Sequence, residues 1–96
     1  MFPDETKSKV VIDYLKRTFP DADINYRIDM YTFSYEFRLD HGNVLQILIV
    51  ERSFVDDRAP QVIYSYLDSN DICNQFKKHN VQNIFVSNNG ISIKYL

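Results

Sequence analysis

Strict period-two alternation fixes the centre of this chain. From Thr32 to Asp40, Phe33, Tyr35, Phe37 and Leu39 fall at every second position against Thr32, Ser34, Glu36, Arg38 and Asp40. Successive side chains of an extended strand point to opposite faces, so this pattern predicts an antiparallel strand with one face buried and one wet. Asp40-His41-Gly42-Asn43 follows as a hairpin turn, because Gly and Asn accept the positive φ that tight turns require. The next strand, Val44 to Glu51, is different. Leu45, Ile47 and Ile49 line one side while Val44, Leu48 and Val50 line the other, so it needs cover on both faces. Leu48 and Val50 are the residues expected on the open side of the sheet. Upstream, Asp23 to Asp29 alternates as well, with Ile24, Tyr26 and Ile28 against Asn25 and Arg27.

Helices flank this meander. Val11, Tyr14, Leu15 and Thr18 keep the i, i+3, i+4, i+7 spacing of one helical face, with Asp4 and Glu5 at the start, Lys16 and Arg17 in the last turn, and Pro20 as a stop. Residues 53–80 read as one broken helix or two consecutive ones. Asp56 or Asp57 and then Ser69 or Asn70 are the candidate caps, and Pro60 fits only a first turn. Val62 to Leu67 also has strand-like composition, but the caps and the proline favour helix. Val81 to Ser87 and Ile91 to Leu96 flank Asn88-Asn89-Gly90, a strong hairpin signal.

The expected fold is therefore α+β: an N-terminal helix, a three-stranded antiparallel meander, a helical segment, and a C-terminal β-hairpin extending the sheet, with the helices on one face. The first five elements resemble the double-stranded-RNA-binding domain in topology alone, since no stretch of residues matches that family's motifs. At 96 residues and 11.4 kDa, residues 1–96 are expected to form one domain.

Composition narrows function more than it defines it. Eleven Lys and Arg against thirteen Asp and Glu leave a net charge of −2, too small for a strong field of either sign. Cys73 is the sole cysteine, which excludes an intrachain disulfide and suits a reducing compartment. The N-terminus lacks a signal-peptide pattern, and the apolar run Val44–Val50 is far below the roughly 20 residues of a membrane helix. A cytoplasmic chain without a membrane segment is expected.

No chemical constellation stands out. His41 and His79 are distant in sequence and share no metal-ligand spacing with Cys73, so no metal or cofactor is expected. Glu51, Asp56 and Asp57 form the densest acidic group, and helix capping explains two of them. Cys73 and His79 would sit on different faces of one helix, and Asp40 beside His41 reads as turn capping. Gly42 and Gly90 serve hairpins, leaving no phosphate-binding loop. An enzyme is not expected.

Two binding readings remain. The first is a small protein-interaction module, self-associating as a homodimer or binding another protein. Its surface would be the open sheet face (Leu48, Val50) or a second stripe on the crowded helix (Val62, Tyr66), with Ile63 and Leu67 facing the core. The second is a nucleic-acid-binding domain using Lys7, Lys9, Lys16 and Arg17 on the first helix and Lys77 and Lys78 on the last. A sequence pI near 5.5 disfavours it, because domains that grip phosphates are usually basic.

Overall fold

Register, more than composition, decides how this sheet is built. The computed structural model describes residues 5–78 and 80–96. Its strands are β1 (Asp23–Asp29), β2 (Ser34–Asp40), β3 (Leu45–Glu51), β4 (Val81–Ser87) and β5 (Gly90–Tyr95), laid side by side in chain order in one five-stranded sheet. The first three form the antiparallel meander, and β4 and β5 form the closing hairpin. β4 runs parallel to β3, with Leu48 beside Ile84 and Val50 beside Val86, so the sheet is mixed. A parallel neighbour requires a long crossover, and the helical segment supplies it.

The helices are α1 (Glu5–Thr18), α2 (Arg52–Asp56), α3 (Pro60–Ser69) and α4 (Ile72–Phe76). The crossover is thus a chain of three short helices rather than one or two, and Val62 to Leu67 is helical. Pro60 opens α3 at its first turn, where a missing N–H costs nothing. The expected caps are placed differently. Asp57 ends α2, no side chain caps the start of α3, and Asn70 closes α3 by donating from Nδ2 to the Tyr66 carbonyl at 2.8 Å. Asp4, expected to cap α1, lies outside the described residues.

Val11, Tyr14 and Leu15 of α1, Phe54 and Val55 of α2, Ile63 and Leu67 of α3, and Ile72, Cys73 and Phe76 of α4 are all buried. They pack on the sheet side formed by Tyr35, Phe37, Leu39, Leu48, Val50, Ile84 and Val86. Each fully buried side chain of Leu or Phe size stabilises the fold by about 1.5–3 kcal/mol relative to exposure. Gln46 shares this face and is also buried. Its Nε2 donates to the carbonyls of Phe76 (3.0 Å) and Val81 (2.8 Å), and its Oε1 meets His41 Nε2 at 2.9 Å. With every polar atom paired, a glutamine can replace an apolar residue at a core position.

Candidate functional site: the uncovered face of the sheet

Antiparallel partners share a face, so the alternation of β2 sorts every strand. Leu39 lies opposite Gln46, Phe37 opposite Leu48 and Tyr35 opposite Val50, which turns Leu48 and Val50 toward the helices. Both are 0% exposed, so the expectation that they form the open face is corrected. The open face belongs to the other parity. Ile47 and Ile49 of β3 are half-buried there, Leu45 is 41% exposed, and Phe85 of β4, paired with Ile49, is 39% exposed.

These side chains make an apolar band along the sheet's centre. Glu36 and Arg38 border it on the β2 side, where Glu36 accepts a salt bridge from Arg27 at 3.2 Å. Asn83, Ser92 and Lys94 border it on the β4–β5 side. An apolar centre with a polar rim is the anatomy of a protein-binding patch.

One end of the band dips into a hollow of about 250 Å³, floored by Ile49 and Phe85 and walled by Asp29, Glu36 and Glu51. The β1–β2 loop stands beside it with Met30, Tyr31 and Phe33 exposed, Tyr31 at 97%. Asp29 organises that loop by accepting the N–H groups of Tyr31 (2.9 Å) and Thr32 (3.4 Å), which hold its carboxyl below the usual range. Phe33 has φ of 54°, and its carbonyl accepts the Arg52 N–H at 2.9 Å. The expected strand from Thr32 therefore begins at Ser34, because a left-handed residue cannot continue a ladder. No sequence signal marks a phenylalanine for that conformation.

The expected helical stripe is unevenly exposed. Val62 is 50% exposed, whereas Tyr66 is half-buried with its ring edge-on to Phe54 at 4.9 Å. The Arg58 guanidinium lies over Phe54 at 3.8 Å and reaches Tyr66 at 6.0 Å. Tyr66 thus sits at the rim of the core, one helical turn from the more exposed Val62 on the same face of α3.

The basic residues are dispersed among several roles. Lys7 Nζ donates to the carbonyls of Val55 (3.0 Å) and Asp56 (3.3 Å), clamping α1 to α2. Arg17 donates to the Tyr64 hydroxyl (2.6 Å) and pairs with Asp68 (2.8 Å), joining α1 to α3. Lys9 and Lys16 are exposed on α1. Lys77 and Lys78 line a separate groove of about 390 Å³ together with Phe19, His41, Gln46 and Phe76, and no first-helix cation lines it.

The remaining candidates have structural duties. Asp40 accepts the Gly42 N–H at 2.9 Å, and His41 packs edge-on to Phe19 at 5.2 Å while bonding Gln46. Cys73 is a buried free thiol whose N–H donates to the Tyr14 hydroxyl at 3.2 Å. Glu51 accepts the Ser53 hydroxyl, and Asp56 pairs with Arg52 at 3.4 Å. His79 lies outside the described residues. Among the described residues, no group of His, Cys, Asp or Glu is arranged to hold a metal ion, and no helix is long and apolar enough to cross a membrane.

Fold and surface together define an α+β domain whose helices cover one side of a mixed five-stranded sheet, while among the described residues the other side, with its apolar band, is uncovered. Compared with protein-family models, curated proteins and solved structures, the chain matches none.

Proposed function

We propose that this chain is a small non-enzymatic protein-interaction module of a reducing, cytoplasmic compartment, that it self-associates, and that the uncovered sheet face docks a protein partner. The single observation behind this reading is the band of Leu45, Ile47, Ile49 and Phe85 left without cover at the centre of the sheet. Interfaces bury such centres and leave their charged rims wet, and the Arg27–Glu36 pair and Lys94 form that rim. The exposed Met30, Tyr31 and Phe33 extend the same surface at one end.

The test is a paired capture experiment with the wild-type chain and an Ile49→Asp/Phe85→Asp double variant, quantified by mass spectrometry. Both positions are on the solvent side of the sheet, so the variant should keep its secondary structure. A partner retained by the wild type and depleted at least tenfold on the folded variant is expected. Identical partner sets on the two proteins would overturn the reading.

A second reading, nucleic-acid binding, is favoured by one observation: the groove beside Lys77 and Lys78 has no carboxylate among its described lining residues. Binding there should weaken steeply with salt as counterions are released. A Lys77→Ala/Lys78→Ala variant should lose affinity for a labelled RNA duplex at low salt. Absence of wild-type binding to duplex or single strand at about 50 mM salt removes this reading.

A further inference from the structure

The two edges of the sheet differ in character. β1 carries Asp23, Arg27 and Asp29 within its seven residues, the kind of charged edge that resists another strand. β5, Gly90-Ile91-Ser92-Ile93-Lys94-Tyr95, carries one charge. It also lies beyond the elements the helices chiefly pack against, which are β1, β3 and β4. As a result Ile91 and Ile93, on the core-facing side beside Val86 and Ile84, are only half-buried. Tyr95 on the same side is 49% exposed.

Backbone direction along β5 follows from its last rung. The Leu96 N–H donates to the Asn80 carbonyl at 2.7 Å, so Leu96 faces β4. Peptide groups alternate along a strand, so Lys94 and Ser92 also turn inward while the N–H and C=O of Ile91, Ile93 and Tyr95 point away from the sheet. Among the described residues nothing pairs with this row of donors and acceptors, and it is backed by apolar side chains that the described helices leave partly bare.

We propose that β5 is the self-association site: two copies pair their β5 strands antiparallel about a two-fold axis at Ile93, joining both sheets into one. This deepens the interaction-module reading by supplying its self-association surface, and it rests on that reading. The register follows from self-complementarity. An axis at Ile93 sets Ile93 against the partner's Ile93, Ile91 against the partner's Tyr95, and Ser92 against the partner's Lys94. All three outward residues then exchange both of their hydrogen bonds, about six bonds in all. Isoleucine opposite tyrosine is a favourable cross-strand pair, and no like charges face one another.

Neighbouring registers do worse. An axis at Ser92 sets Tyr95 against the partner's Asn89, a turn residue. An axis at Lys94 sets two lysines directly opposite, which is destabilising. In the Ile93 register the two uncovered faces lie on the same side of the joined sheet, making a bivalent docking platform. A six-residue edge is a small contact, in the range below about 1,200 Å² typical of dissociable complexes. The dimer is therefore expected to dissociate on dilution.

Light scattering after size exclusion, over a dilution series of the full chain, tests this. The wild type should pass from dimer to monomer mass as it is diluted. Ile93→Pro removes an outward-facing N–H without touching a rung to β4, a placement proline tolerates on an edge strand, and should be monomeric throughout. A Ser92→Cys/Lys94→Cys double variant reads the register independently. Those positions form a non-hydrogen-bonded pair across the axis, with Cα atoms about 4.5 Å apart, and should give a covalent dimer on oxidation. Ser92→Cys alone should not, and Cys73 is buried.

A wild type that is monomeric at every concentration, or a double-cysteine variant that fails to cross-link, overturns the proposal. If Ile93→Pro disrupts the fold, the cysteine pair decides alone. Should Ile49→Asp/Phe85→Asp abolish the dimer while Ile93→Pro keeps it, self-association belongs to the open face. That result overturns the edge proposal and leaves the module reading standing. Identical partner sets on the wild type and the Ile49→Asp/Phe85→Asp variant, with an intact, cross-linkable dimer, do the reverse.

Discussion

Tyr14 does work that no pattern of apolar spacing would assign to it. Its hydroxyl donates to the Leu67 carbonyl at 3.0 Å and accepts the Cys73 N–H at 3.2 Å, in a site from which water is excluded. The Cys73 N–H is among the first of α4, whose N-cap residue Asp71 contributes no side-chain cap, so Tyr14 satisfies a helix start from a distance. Tyr14→Phe keeps the ring and leaves both backbone groups unpaired, at an expected cost of about 1–3 kcal/mol. For a domain of this size that lowers Tm by about 4–8 °C per kcal/mol, measurable by calorimetry. Burial also pushes the Tyr14 hydroxyl pKa well above its ordinary value. A raised folded pKa means that stability is fully present below the unfolded value of about 10 and is lost as pH rises beyond it. The Tyr14→Phe protein should therefore show a shallower alkaline loss of stability than the wild type in denaturant titrations above pH 10. An unchanged slope would assign the alkaline loss to other groups. The sequence marks Tyr14 as a core residue through its spacing with Val11 and Leu15, but its polar partners lie more than fifty residues away. Gln46 is similar: it reads as an interruption of an apolar run and proves to be the pin between β3, α4 and β4.

At the scale of elements, what was legible were local signals. β1 runs from Asp23 to Asp29, as its alternation predicts, and β4 from Val81 to Ser87. The closing hairpin turns on Asn88-Asn89, with Gly90 at φ of 122° where a Cβ is strained, although the space around it is open. Gly90→Ala should accordingly cost about 1–3 kcal/mol through backbone strain alone. It should also accelerate hydrogen exchange in β5 more than in β2, because β5 is an edge strand whose ladder runs to β4 through this hairpin, whereas β2 is paired on both sides. Uniform acceleration across the sheet would show that the hairpin is not a separable unit. The helix caps were not legible. Asp56, Asp57 and Ser69 are good capping residues by type, yet none caps a helix start here. Short helices wedged between a strand and a core take their ends from packing and from distant partners such as Tyr14. Propensity is then a minor influence.

At the scale of the molecule, the sequence by itself determined the class of fold and the order of its elements. Period two and period 3.6 are properties of neighbouring residues, and turn residues act on their own backbone. It determined too that β3 is apolar on both sides. Which side meets the helices was decided only by tertiary structure, because the answer lies in the register with β2 and in the parallel neighbour β4. The alternation of Tyr35, Phe37 and Leu39 already carries that information, but transferring it to Leu48 and Val50 requires the pairing itself. The glutamine on their parity points the wrong way until its three hydrogen bonds are seen. The apolar band of Ile47, Ile49 and Phe85 follows from the same cause. A two-layer fold with helices on one side must leave one face of its sheet without cover, and only long-range pairing selects the residues that face outward there.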